Sequence, residues 1–153
     1  MEKLFNEDLQ KQIRDILAQG EKHIKLVLFT KDGECHTCAE TKQLLEETAE
    51  LSDKITLEVK NIEADQALAE QYGVTLTPSF IILDEAGNYK GVKFNGIPAG
   101  HEINSFISAL LEMSGLDIDY GQIVMDRIAK IDKKINIKVF ITLSCPHCPG
   151  AVQ

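Results

Sequence analysis

Tryptophan is missing from this chain, and proline occurs only four times in 153 residues. No apolar run approaches the roughly 20 residues that a bilayer-spanning helix requires. A membrane segment is therefore not expected. Positive charge is also in short supply: 16 basic residues face 24 acidic ones, for a formal charge of −8, and the lysines are scattered. Such a surface repels phosphates and anionic lipid, so neither nucleic acid nor membrane is an expected partner. The opening stretch, Met1-Glu2-Lys3-Leu4-Phe5-Asn6-Glu7-Asp8, carries acids early and has no long apolar core. It does not read as a secretory signal, and a cytoplasmic location is expected.

What the chain does have is the composition of an ordinary globular protein, 44% hydrophobic and 26% charged. Its length suits one packed domain, or one domain plus part of a second. Unpaired cysteines are absent too. All four cysteines fall in two CxxC motifs, Cys35-His36-Thr37-Cys38 and Cys145-Pro146-His147-Cys148. Paired cysteines in a reducing compartment are catalytic or metal-binding more often than structural. As a staple each pair is weak, because it closes a very short loop.

Apolar spacing predicts a helix through Phe5, Leu9, Ile13, Ile16 and Leu17, stopped by Gly20. A buried strand is predicted at 24–30 and a second helix at 39–51. A strand follows through Ile55, Leu57 and Val59, then a short helix at 64–72 closed by Gly73. Phe80-Ile81-Ile82-Leu83 reads as a strand, with 89–94 its hairpin partner across the Gly87-Asn88 turn. Ile103, Phe106, Ile107, Leu110 and Leu111 form a helical stripe. Helix-linked strands imply parallel pairing and the hairpin antiparallel pairing, so an α/β fold with a mixed central sheet flanked by helices is expected. The pattern then restarts with a helix at 122–131, a strand at 135–142 and the second CxxC, 110 residues after the first. Residues 137–142 echo 24–30, which marks an internal duplication. The expected units are 1–115 and 116–153, the second truncated.

A CxxC between a strand and a helix head has a specific chemistry. Free N–H groups and the positive dipole end of a helix stabilise a thiolate. Cys35 is expected to attack, more exposed and more acidic than Cys38, which resolves the mixed disulfide. His36 and His147 either favour the thiolate when protonated or merely face solvent. Thr77-Pro78 opens a strand. In trans it is ordinary; in cis it turns the Thr77 backbone toward the sulfurs as a site for an extended substrate strand. No buried acid is expected beside either dithiol. Lys25, Lys31 and Glu34 read as solvated, His23 as a surface residue and His101 as part of a helix cap.

Strand–CxxC–helix, Leu68-Ala69-Glu70-Gln71-Tyr72-Gly73-Val74 and Thr77-Pro78 before a strand resemble the thioredoxin superfamily. The duplication, the string Phe94-Asn95-Gly96-Ile97-Pro98-Ala99-Gly100-His101-Glu102 and the second CxxC narrow the resemblance. The chain resembles, over its whole length, the glutaredoxin-like protein disulfide oxidoreductases of thermophilic archaea and bacteria. That resemblance implies a thioredoxin-like fold in tandem, a cis Pro78, and disulfide exchange with protein substrates through Cys35, Cys38, Cys145 and Cys148. It implies substrate binding at Thr77, Pro78 and His36, and no cofactor beyond the cysteine pairs. It further implies electrons from a thioredoxin-reductase-type flavoenzyme. The second unit departs from the family in stopping soon after its dithiol, and a homodimer through it is an expectation. The first site departs in carrying His36 where many glutaredoxins have proline.

Two other readings compete. Two CxxC pairs form a zinc or iron–sulfur site when brought together, although zinc ribbons space their pairs by roughly 15–20 residues, against 106 here. A thioredoxin-like binding module without turnover is the second. Direct peroxide reduction is less expected, since no lone activated cysteine with Thr and Arg around it is visible.

Overall fold

The computed structural model describes residues 3–153. Met1 and Glu2, part of the segment read above as lacking a secretory signal, lie outside them. Helix α1 (Glu7–Leu17) opens with the Asn6 side chain accepting the Leu9 N–H at 2.9 Å. Strand β1 (Ile24–Thr30) leads into α2 (Cys38–Glu50), β2 (Ile55–Asn61) and α3 (Gln66–Gln71). Strands β3 (Ser79–Leu83) and β4 (Tyr89–Asn95) follow, then a short 3-10 turn at Gly100–Glu102 and α4 (Ile103–Met113). Helices α5 (Gln122–Ile128) and α6 (Cys148–Val152) complete the chain. Among the described residues no helix is long and apolar enough to cross a membrane.

The sheet order is β2-β1-β3-β4. β1 runs parallel to β2 and antiparallel to β3, which pairs antiparallel with β4. The mixed sheet agrees with expectation, but the direction of β3 does not. Helix-linked strands were expected to run parallel, whereas β3 opposes β2. A six-residue α3 spans only about 9 Å, while a seven-residue strand runs about 23 Å. The chain is therefore not carried back along the sheet, and it enters β3 from the end at which β2 leaves.

Period-two alternation in β1 and β3 divides the core. Leu26, Leu28, Phe80 and Ile82 face α1, α2 and α4, packing on Ile13, Leu44, Phe106 and Leu110. Val27, Phe29, Ile81 and Leu83 face the other way, onto Ala69 and Val74 around α3. Phe80 stacks on Phe94 at 5.0 Å between ring centroids and meets Phe106 edge-on at 5.4 Å. Every buried residue of both clusters lies before residue 111.

The expected strand at 135–142 does not form. That segment has no regular structure, and residues 131–140 are all exposed. A strand persists only when neighbouring backbone satisfies its donors and acceptors, and no strand of the described chain lies alongside.

Candidate functional site

Cys35 and Cys38 are joined in a disulfide, with Cα atoms 5.5 Å apart. Cys38 is the first residue of α2 and only 8% exposed, while Cys35 sits half-buried in the turn before it. The expected order of exposure is therefore present. The helix head is tied down by Thr41, whose amide and hydroxyl both donate to the Thr37 carbonyl, at 2.9 and 2.6 Å. His36, between the two cysteines in sequence, is exposed.

Thr77-Pro78 is a cis peptide. Because Phe29 pairs with Ser79, the next residue back, Pro78, lies across from the end of β1. That is the end from which the chain enters the cysteine loop, so one edge of the fold gathers the dithiol and the Thr77-Pro78 turn. The turn is fixed by the Ser79 hydroxyl, which donates to the Leu76 carbonyl at 2.7 Å and lies 2.8 Å from the Asn95 side chain. The Pro78 carbonyl accepts the Gly96 amide at 2.8 Å. Lys25 and Lys31 are exposed as expected, paired to Glu58 at 3.5 Å and Glu63 at 3.0 Å.

The second dithiol is built differently. Cys145 and Cys148 are free thiols, both half-buried. Their loop docks on the turn at 100–102, where the His101 amide donates to the Leu143 carbonyl at 3.5 Å. α6 packs against that turn and α4, and the Gln153 side chain donates to the Ser108 hydroxyl at 3.0 Å. Gly100 permits the approach. It has φ +61°, and a Cβ there would stand 2.8 Å from the Leu143 carbonyl oxygen.

The two sulfurs are not equivalent. A hydrogen bond from the Cys148 thiol, helped by the His147 backbone, holds Cys145 below the ordinary thiol range. Donating that bond pushes Cys148 up. The asymmetry is that of an attacking thiolate and a resolving thiol.

No buried acid was expected to serve a dithiol, and Glu102 is buried close to the second one. Glu102 is 2% exposed. Its Oε2 accepts the Ser105 hydroxyl at 2.9 Å, and its Oε1 has no partner. Its charge opposes thiolate formation at both Cys145 and Cys148. The sequence carried a signal for it: Glu102, Phe106 and Leu110 recur at the i, i+4 spacing of one helical face. Glu47, on α2, accepts the Leu4 and Phe5 amides at 2.9 and 3.0 Å and serves the packing of α1 rather than a dithiol.

Among the described residues no group of three or more histidine, cysteine or acidic side chains is placed to hold a metal ion. The two CxxC pairs do not converge into one four-cysteine cluster.

Residues 25–86 match the Glutaredoxin-like domain family. The chain is 32% identical over 150 residues to the AhpF component of alkyl hydroperoxide reductase in Staphylococcus aureus, covering 98% of this chain and 27% of that protein. It thus spans about a quarter of the length of the curated relatives it matches. The structure of AhpF of Enterococcus faecalis superposes with a TM-score of 0.84 at 31% identity, over 96% of this chain and 70% of that one. A protein disulfide oxidoreductase from Aeropyrum pernix superposes with a TM-score of 0.84 at 25% identity, over 96% and 64%. The chain belongs to the thioredoxin-like family that contains the glutaredoxin-like protein disulfide oxidoreductases and the matching part of AhpF, a family of thiol–disulfide oxidoreductases.

Proposed function

We propose that the chain exchanges disulfides with protein substrates through two dithiols, Cys35/Cys38 in a unit spanning 1–115 and Cys145/Cys148 in a unit spanning 116–153. The observation that carries this reading is the Cys35–Cys38 bond at the head of α2, on the same edge of the fold as Thr77-Pro78. In the reducing direction, the thiolate of the leading cysteine attacks one sulfur of a substrate disulfide. A mixed disulfide forms, and the other substrate sulfur leaves as a thiolate. The second cysteine then loses its proton and attacks the first. The internal disulfide closes, the substrate departs as a dithiol, and two electrons have moved from protein to substrate.

Cys35 leads at the first site, with Cys38 resolving. Thr77 and Pro78 offer backbone to an extended substrate strand, and His36 sits at the contact surface. Cys145 leads at the second site. Glu102 takes the Cys148 proton there, a role supported by its unpartnered, buried Oε1 and by the reach of its charge to both thiols.

The relatives are components of alkyl hydroperoxide reductase, and that name supports a place in peroxide reduction. The dithiols relay electrons from a thioredoxin-reductase-type flavoenzyme module to a disulfide on the protein that meets the hydroperoxide. No cofactor besides the cysteines is needed for the relay. The setting is the cytoplasm, and the chain works as a homodimer. The test is reduction of a protein disulfide such as that of insulin by dithiothreitol. The chain accelerates it, Cys35→Ser and Cys145→Ser each lower the rate, and the double variant abolishes the acceleration. A double variant that retains the full rate sinks the reading.

A further inference from the structure

We propose that Asn95, the last residue of β4, is a positioning residue for the first dithiol: acting through Ser79, it fixes the turn at 76–78 whose Thr77 backbone receives a protein substrate. The inference rests on the disulfide-exchange reading and adds to it the group that shapes the substrate platform. Ser79 is the sole polar residue of β3, a strand buried along its whole length. A hydroxyl shut away from water needs hydrogen-bond partners. Ser79 Oγ has two, the Leu76 carbonyl oxygen at 2.7 Å and the Asn95 side-chain amide at 2.8 Å. The β3–β4 register sets Asn95 directly opposite Ser79, so the two side chains are cross-strand neighbours.

A hydroxyl has one hydrogen to give. The Leu76 carbonyl can only accept, so that hydrogen is committed to it. The other partner must donate, and the Asn95 amide does so through its nitrogen, which exchanges places with its oxygen by a half-turn about the Cβ–Cγ bond. The result is a directed relay from Asn95 Nδ2 to Ser79 Oγ to the Leu76 carbonyl. On the far side of the turn, the Pro78 carbonyl accepts the Gly96 amide at 2.8 Å. The end of β4 thus grips the turn on both sides of Thr77, through two consecutive residues. Thr77 itself is left out of the grip: among the described residues no hydrogen bond reaches its backbone amide or carbonyl. A donor and an acceptor held still in this way are what an extended substrate segment pairs with at least cost in ordering. Asn95 is exposed and belongs to neither buried cluster, so its amide serves the turn and not the core.

The test isolates the first site in the full chain carrying Cys145→Ser and Cys148→Ser. This chain is prereduced, freed of reductant and mixed with excess insulin, whose disulfides lie in peptide backbone. Asn95→Asp keeps the shape but offers only acceptors, and Asn95→Ala removes the donor without adding charge. Each is expected to raise the half-saturating insulin concentration about five- to tenfold, while the limiting rate stays within about twofold. Oxidation of the same dithiol by cystamine, a disulfide with no backbone to pair, keeps its rate. Ser79→Ala raises the insulin value likewise, and Ser79→Ala with Asn95→Ala does no more than either alone, because both cut one relay. An unchanged insulin value in both Asn95 variants overturns the inference. So does equal slowing toward insulin and cystamine, which marks a merely structural role, and so do additive effects in the double variant. A chain that still reduces insulin when Cys35→Ser is added brings down the disulfide-exchange reading at this site, and the inference with it.

Discussion

Replacing Glu47 by alanine should loosen the entry into α1 by an amount that can be worked from its bonds. The carboxylate is 9% exposed and accepts the Leu4 and Phe5 amides and the Gln43 side-chain amide, all within 3.0 Å. A buried donor left without a partner costs about 1–3 kcal/mol. Phe5 is buried and bears the larger share, while Leu4 is half exposed and turns partly to water. A loss of about 2 kcal/mol is expected, which for a chain of this size lowers the melting temperature by about 4–8 °C. The pH dependence has a definite sign. Burial pushes the Glu47 carboxyl up, but the bonds from Leu4, Gln43 and Phe5, with the charge of Lys3, outweigh it and hold the group below its ordinary 4.5. A lowered folded value means that the stabilisation is complete above the unfolded value and fades as pH falls through 4.5 and below. Melting followed by circular dichroism from pH 7 to pH 3 should therefore show wild type and Glu47→Ala converging at the acid end. A variant that melts within about 1 °C of wild type at pH 7, or a gap that widens toward acid, refutes the reasoning.

Gly100→Ala places a methyl carbon 2.8 Å from the Leu143 carbonyl oxygen at a backbone angle of +61°. It should lift the 143–148 loop off its seat, so that alkylation of Cys145 loses its acid-shifted midpoint while Cys35 reacts as before, measured by mass spectrometry across a pH series. Glu102→Gln should slow the resolving step at Cys148 about 10²-fold without slowing the first attack by Cys145, whose thiolate is relieved of an opposing charge; trapping the mixed disulfide by rapid quench checks this, and equal slowing of both steps counts against a proton-transfer role. Phe80→Ala opens the centre of the aromatic trio with Phe94 and Phe106 and should cost about 3–5 kcal/mol in urea unfolding. A chain of residues 1–115 keeps every member of both core clusters and is expected to unfold cooperatively on its own, with a non-cooperative melt by circular dichroism as the contrary result.

The elements from α1 to α4 were legible because their signals are local. The apolar runs at 24–30 and 80–83, the helix stops at Gly20 and Gly73 and the CxxC ahead of α2 each specify their own element. The direction of β3 was not legible from element order, because it depends on how far a six-residue helix carries the chain. Nor did the strand at 135–142 follow from its residues, for strand propensity describes a pleated, half-buried surface and the described residues of this chain place no such surface beside the segment. Glu102 went unnoticed for a further reason. Reading residues by type assigns a glutamate to solvent, while reading them by period assigns position 102 to the face of Phe106 and Leu110. Where the two conflict, a buried charged group is the outcome most worth testing for function.

The two dithiols depend on the fold unequally. Around Cys35 and Cys38 the strand, the helix and the Thr77-Pro78 turn all come from one continuous sheet-and-helix unit. Around Cys145 and Cys148 the seat comes from elsewhere in the chain: the His101 amide holds the loop, Gly100 clears space for it, Ser108 binds its end and Glu102 supplies the buried carboxylate. A helix of five residues adds little dipole of its own. The lowered Cys145 thus owes its shift to the Cys148 thiol and nearby backbone groups, held in place by the turn at 100–102 and α4. A change on that surface should therefore retune the second site without touching the first, whereas a change in α2 or β1 that weakens the common core should reach both.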